Sequence, residues 1–157
     1  MLTWLDALAI VSIAAATAVG MRKGASFFVV FPLALAAFFL VVLKFNLAPI
    51  YWPLLGFFTG LVAAQLAGRW SFDLGAFWNS LLGGIAGLIW GLLIALALWV
   101  GLPSEYSYAS GAYRYPSPNL PLVIQDAVIK SPFAIPLFEK VQQNPHLRRF
   151  LLETPPR

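Results

Sequence analysis

The chain has no cysteine, which removes disulfides, thiolate metal ligands, cysteine nucleophiles and iron–sulfur clusters from consideration. Histidine is nearly absent too: the single one, His146, has no second His or Cys with which to share a metal. Charge is scarce, at 10% of residues against about 25% in soluble domains. The net charge of +4 is split evenly between residues 1–103 and 104–157. That is too thin for the dense basic face of a nucleic-acid-binding protein. No serine stands in a nucleophile-elbow context and no glycine-rich phosphate loop follows a strand. The acids Glu105, Asp126, Glu139 and Glu153 are scattered at no spacing that assembles a site. Neither catalytic residues nor a cofactor or metal are expected.

What the chain has is hydrocarbon. Hydrophobic residues make up 61% of it, with a mean hydropathy of +0.82. Four apolar stretches, Thr3–Met21, Ala25–Leu43, Ile50–Ala67 and Ala76–Leu102, fill the first two thirds. A bilayer core of roughly 30 Å needs about 20 apolar residues in helical form. Backbone groups there must be satisfied within the segment, so each stretch is expected to be α-helical. The expected fold is an all-α membrane protein: four transmembrane helices in antiparallel hairpins over residues 1–103, then an extramembrane tail over 104–157.

Leu8–Gly20 has the look of a signal-peptide core, but a signal peptide carries its positive charge before the apolar run. Here Asp6 precedes the run and Arg22 and Lys23 follow it, the order of a retained first span with an exported N-terminus. Lys and Arg near helix ends set orientation. Arg22, Lys23 and Arg69 fall on one side and Lys44 on the other, which makes the first group cytoplasmic and places both the N-terminus and the tail outside. Trp4, Trp52, Trp70, Trp78 and Trp99 fall near span ends, where indole rings favour the headgroup level. Trp90 alone lies well inside a span.

The tail opens with Ser104–Pro118, polar, Tyr-rich and without helical or strand periodicity, the pattern of a linker or extended surface segment. Three short helices are expected after it, Leu120–Lys130, Pro136–Asn144 and His146–Glu153. The first places Leu120, Ile124, Ala127 and Val128 on one face. Each is too short to be stable alone in water, so each needs the bilayer surface, the helical bundle or a partner to cover its apolar face.

Within the spans the clearest pattern is small residues four apart: Gly83, Gly87 and Gly91 in the fourth, Gly56 and Gly60 in the third, and Ser12, Ala16, Gly20 and Gly24 along and after the first. Apolar side chains gain nothing by meeting in lipid, so close backbone approach through small residues holds such helices together. Packing within the bundle is the favoured reading of these faces, with an oligomer interface as the other. Asp6 is a candidate functional residue because an ionisable group in hydrocarbon is costly. Its position at the start of a helix favours capping at the water interface over ion coupling. Arg22 and Lys23 are expected to set topology and contact anionic headgroups. The midplanes are almost wholly apolar, against the broken helices and buried polar groups of a carrier.

Two motifs carry a family resemblance. Trp4-Leu5-Asp6, an apolar run and then Gly20-Met21-Arg22-Lys23-Gly24 resembles the opening of the colicin V production protein (CvpA) family. The stretch Asn79–Gly91 resembles that family's glycine-rich fourth helix, although Trp90 stands where members often carry Arg. A polar C-terminal region with a Ser-Pro element, here Ser131-Pro132, is also similar. The resemblance covers roughly Met1–Leu102. It implies a bacterial inner-membrane protein tied to export of a peptide toxin and to envelope homeostasis. Expected partners are the lipid bilayer and other envelope membrane proteins or further copies of the chain. The leading expectation is a non-enzymatic assembly component; the alternative is an oligomeric channel or transport component.

Overall fold

A capping box starts the first helix, α1 (Trp4–Lys23): the Thr3 hydroxyl accepts from the Asp6 amide while the Asp6 carboxylate accepts from the Thr3 amide. The computed structural model describes residues 2–45, 47–70, 72, 74–107, 112–145 and 147–148. Gly24, at φ +67°, ends α1 and turns the chain directly into α2 (Ala25–Phe45). A side chain at that φ would be strained. Helix α2 runs through Pro32 without interruption. A 3-10 turn over Pro49–Tyr51 leads into α3 (Trp52–Ala67), and α4 covers Ala76–Leu96. Together these give four helical segments long and apolar enough to cross a membrane.

The fourth segment differs from its expected end. α-Helical geometry stops at Leu96, and Ala97–Gly101 form a π turn closed by Leu102 N donating to Ala97 O at 2.7 Å. A π turn accommodates one extra residue, and here Ala97, Leu98, Trp99, Val100 and Gly101 are all buried in succession. A plain α-helix with one outward-facing side would not bury five consecutive residues.

α1 and α4 form the closest seam. Gly20 lies against the Gly83 carbonyl, Gly87 against the Ala16 carbonyl, and Gly91 against Ile13, whose Cα is 2.7 Å from where a Gly91 Cβ would sit. Rising numbers on α1 meet falling numbers on α4, so the two run antiparallel, backbone on backbone. Gly56 and Gly60 of α3 face Ile94 and Trp90 of α4. Trp90 occupies the middle of the bundle, edge-on to Phe31 and Phe38 at 6.0 and 6.1 Å between ring centres. Its indole N–H donates to the Gly56 carbonyl at 3.0 Å, which leaves no unpaired donor at that depth. Outward-facing residues such as Leu33, Leu40, Leu54, Phe58 and Phe77 are exposed and apolar.

At one end of the bundle Thr3 and Asp6, the Pro49–Tyr51 turn and Gly101 meet, with Pro49 O 3.2 Å from a Gly101 Cβ position. At the other, Gly24 lies beside Asn79, Lys23 reaches Gly68, and Phe72 N donates to Ser26 Oγ at 3.2 Å. The expected aperiodic linker is corrected here. Strands β1 (Glu105–Ser107) and β2 (Ala112–Arg114) pair antiparallel, with Tyr106 opposite Tyr113 and their rings 5.1 Å apart. Three-residue strands are too short to display the alternation that marks a strand in sequence, and a cross-strand aromatic pair sets the register. Helices α5 (Leu122–Lys130) and α6 (Ala134–Gln143) follow. Ala127, Val128, Ala134, Phe138 and Val141 join the same buried cluster as Leu5, Ala9, Leu98 and Trp99. The third expected tail helix, His146–Glu153, lies mostly outside the described residues.

Candidate functional site at the Asp6 carboxylate

Asp6 is completely buried, which corrects the expectation of a water-reached interfacial group. Sequence depth placed it one turn into α1; what sequence could not show is that the tail closes over that end. Four donors converge on its carboxylate. Oδ2 accepts from Thr3 N and Thr3 Oγ1, both at 2.8 Å. Oδ1 accepts from Trp99 Nε1 at 3.0 Å and Ser131 Oγ at 2.5 Å. All four partners donate, and the positive end of α1 lies beneath, so the cavity is built for an acceptor-only group. Burying a carboxylate without such donors would cost several kcal/mol.

The donors come from three distant places. Thr3 is the cap of α1, Trp99 is carried inward by the π turn, and Ser131 opens the three-residue connection between α5 and α6. Ser131 Oγ also accepts from Phe133 N at 3.2 Å and Ala134 N at 3.0 Å, so the hydroxyl that binds Asp6 also caps the start of α6. Trp99 sits against Phe133 with ring centres 5.3 Å apart. Expected as a headgroup anchor, Trp99 is instead buried, as is Trp52, while Trp4, Trp70 and Trp78 are exposed.

The carbonyls at the end of the fourth span are satisfied by the tail. Tyr115 donates its phenolic proton to Trp99 O at 2.6 Å, Ser104 Oγ donates to Val100 O, and Ser117 N donates to Pro103 O at 2.8 Å. The last carbonyls of a helix lack intrahelical partners and must find them elsewhere when buried. Tyr115 stacks on Phe138 with ring centres 4.0 Å apart. Burial holds its phenol above the ordinary tyrosine range, and the Asp6 carboxylate nearby adds to the rise. Glu105 accepts from Ser117 Oγ and, at 2.7 Å, from Asn119 Nδ2, which ties the hairpin to the turn before α5.

Arg22 and Lys23 lie in the last turn of α1, at the opposite end from Asp6, and form no part of this cluster. Of the small residues, Ala16, Gly20, Gly24, Gly83, Gly87 and Gly91 meet across α1, α4 and the turn after α1, while Gly56 and Gly60 meet α4 from α3. Ser12 stays off that seam; its hydroxyl donates to Leu8 O at 2.8 Å and Ile13 takes the contact with Gly91. Thr3 was not singled out from the sequence, although its three-residue spacing to Asp6 is the signal that could have found it, a capping box with Asp in the acidic place. Ser131 and Tyr115 carried no signal, since they act only where the tail folds back. Among the described residues no buried side-chain nitrogen or oxygen lacks a partner, and no three His, Cys, Asp or Glu side chains come together. What this arrangement does chemically is hold the tail on the bundle. Comparison with protein-family models, with curated proteins and with solved structures returns no match.

Proposed function

We propose that this chain is a non-enzymatic, multi-pass protein of a bacterial cytoplasmic membrane that works by assembling with other envelope components. In this reading it serves colicin V production or export and envelope homeostasis, as its resemblance to the CvpA family implies. The N-terminus and tail lie on the exported side, with Arg22, Lys23 and Arg69 in the cytoplasm.

The observation that carries this reading is the sealed Asp6 carboxylate, whose four donors leave it no face toward a substrate or ion. The small-residue faces of α1 and α4, which a pore would need for its lining, are spent on each other. The folded tail, held by hydrogen bonds to the bundle, supplies a fixed extramembrane surface for partners. Pull-down from gently solubilised membranes is expected to recover stoichiometric envelope proteins or a homo-oligomer. A strictly monomeric particle without partners overturns the reading, as does solute flux into liposomes that responds to Asp6→Asn. Single-cysteine labelling at Lys130 tests sidedness and is expected to succeed from the exported face alone.

A further inference from the structure

Because α1 packs along α4, it stands away from α3, and the two leave a lateral crevice of about 350 Å³. Leu8, Val11 and Ala15 form one wall, Phe57 and Leu61 the other, and Trp90 the floor. Nothing polar inside it seeks a partner: the Trp90 N–H is taken by Gly56 O and the Ser12 hydroxyl by Leu8 O. Its occupant must therefore be hydrocarbon. Val19 also lines a second hollow of about 300 Å³, together with Arg22 and Lys23. Ala64 lines the crevice on α3, and one turn beyond it the Lys23 ammonium lies 3.1 Å from where a Cβ on Gly68 would sit. The missing side chain of Gly68 lets Lys23 cross to α3 at the mouth of the crevice. Arg69 follows in the same turn. Of the acids among the described residues, Asp6 belongs to the other end and Glu105, Asp126 and Glu139 to the tail. Asp73, in the connection to α4, lies outside the described residues; by sequence the connections at this end carry Arg22, Lys23 and Arg69 against that one acid.

We propose that this crevice is a binding site for one anionic phospholipid, with an acyl chain between α1 and α3 and the headgroup phosphate on Arg22 and Lys23. The apolar slot fixes the class of the tail, and the cations at its one charged end fix the sign of the head. A helix from a second copy would fill the slot without using that charge.

The test uses the full chain in detergent with equimolar dioleoyl phosphatidylglycerol and dioleoyl phosphatidylcholine, read by native mass spectrometry. One phosphatidylglycerol is expected to stay bound, with roughly ten-fold preference over phosphatidylcholine. R22Q/K23Q is expected to abolish that preference. Ala15→Phe, at an exposed position on the crevice wall, is expected to lower retention of both lipids several-fold; Leu61→Trp repeats the test from the facing wall. Equal retention of the two lipids by the unsubstituted chain, or unchanged retention in both wall variants, overturns the proposal. So does displacement of the lipid by inorganic phosphate alone, which would mark a bare anion site. Efficient disulfide dimerisation of Ala15→Cys in membranes would place a second copy in the slot and overturn it equally.

Discussion

The two ends of the helical bundle are finished by opposite means. At the end holding Asp6, the chain returns on itself: the π turn brings Trp99 inward, Ser131 and Tyr115 descend from the tail, and polar atoms there find partners within the protein. At the end holding Arg22 and Lys23, the cations face an open hollow, and the connections are a single glycine between α1 and α2 and the stretch after Gly68. One end spends its polarity internally and the other presents it. The difference teaches where to look for outside contacts, because a carboxylate with four donors has none to offer, whereas the cations above an apolar slot meet no acid among the described residues.

That contrast can be broken most severely at the seam both ends depend on. Gly83→Leu drives a side chain into the Gly20 carbonyl and to within 2.7 Å of Gly24 O. Overpacking ordinarily costs about 1–3 kcal/mol, and here the obstacle is backbone, so a loss of at least about 3 kcal/mol is expected. Thermal unfolding in detergent, followed by helical circular dichroism, measures it. Next in size is Asp6→Ala, which leaves buried donors on Thr3, Trp99 and Ser131 without their acceptor. Each such donor costs about 1–3 kcal/mol. The expected result is release of the tail, seen as rapid proteolysis after Pro103 while the four spans stay helical. Asp6→Asn is expected to fall between Asp6→Ala and the unsubstituted chain, because its amide nitrogen must face donors on one side.

Tyr115→Phe removes one hydrogen bond and keeps the stack on Phe138; a loss of about 1 kcal/mol is expected. This position also gives a pH test. The phenol is raised in the folded protein, so its contribution is intact below the unfolded value of about 10 and is lost as pH rises beyond it. Tail docking of the unsubstituted chain is expected to weaken above about pH 10, and that tyrosine contribution to be missing in Tyr115→Phe, read by protease protection across the range. The smallest effect belongs to the exposed pair Asp126–Lys130 at 2.7 Å. Lys130→Ala is expected to change stability by no more than about 0.5 kcal/mol, a control that separates the latch from ordinary tail surface.

Particular residues show what sequence reading could reach. The four spans were legible from apolar length, and Gly83, Gly87 and Gly91 from spacing alone, because both signals are local and repeat along one helix. The start of α1 was legible from where the apolar stretch begins at Thr3; its capping box with Asp6 emerged only in the structure. Ser131 was not, since its bond to Asp6 joins positions 125 residues apart. Trp99 was misread for a related reason: a tryptophan near a span end reads as a headgroup anchor until a π turn rotates it inward. Strands β1 and β2 were missed because three residues are too few to show a period. The crevice was invisible because a slot belongs to the gap between α1 and α3, and no single segment records a gap.

By itself the sequence determined the number of long apolar helices, their approximate extents short of the π turn that ends the fourth, and the small-residue faces on which they could approach. These follow from hydrocarbon length and side-chain size, properties each segment carries alone. The tertiary structure decided that α1 takes α4 as its close partner, that the tail seals Asp6, and that Arg22 and Lys23 stand at the mouth of an apolar slot. Those outcomes depend on which distant groups come within about 3 Å of one another, a matter of how the chain returns on itself.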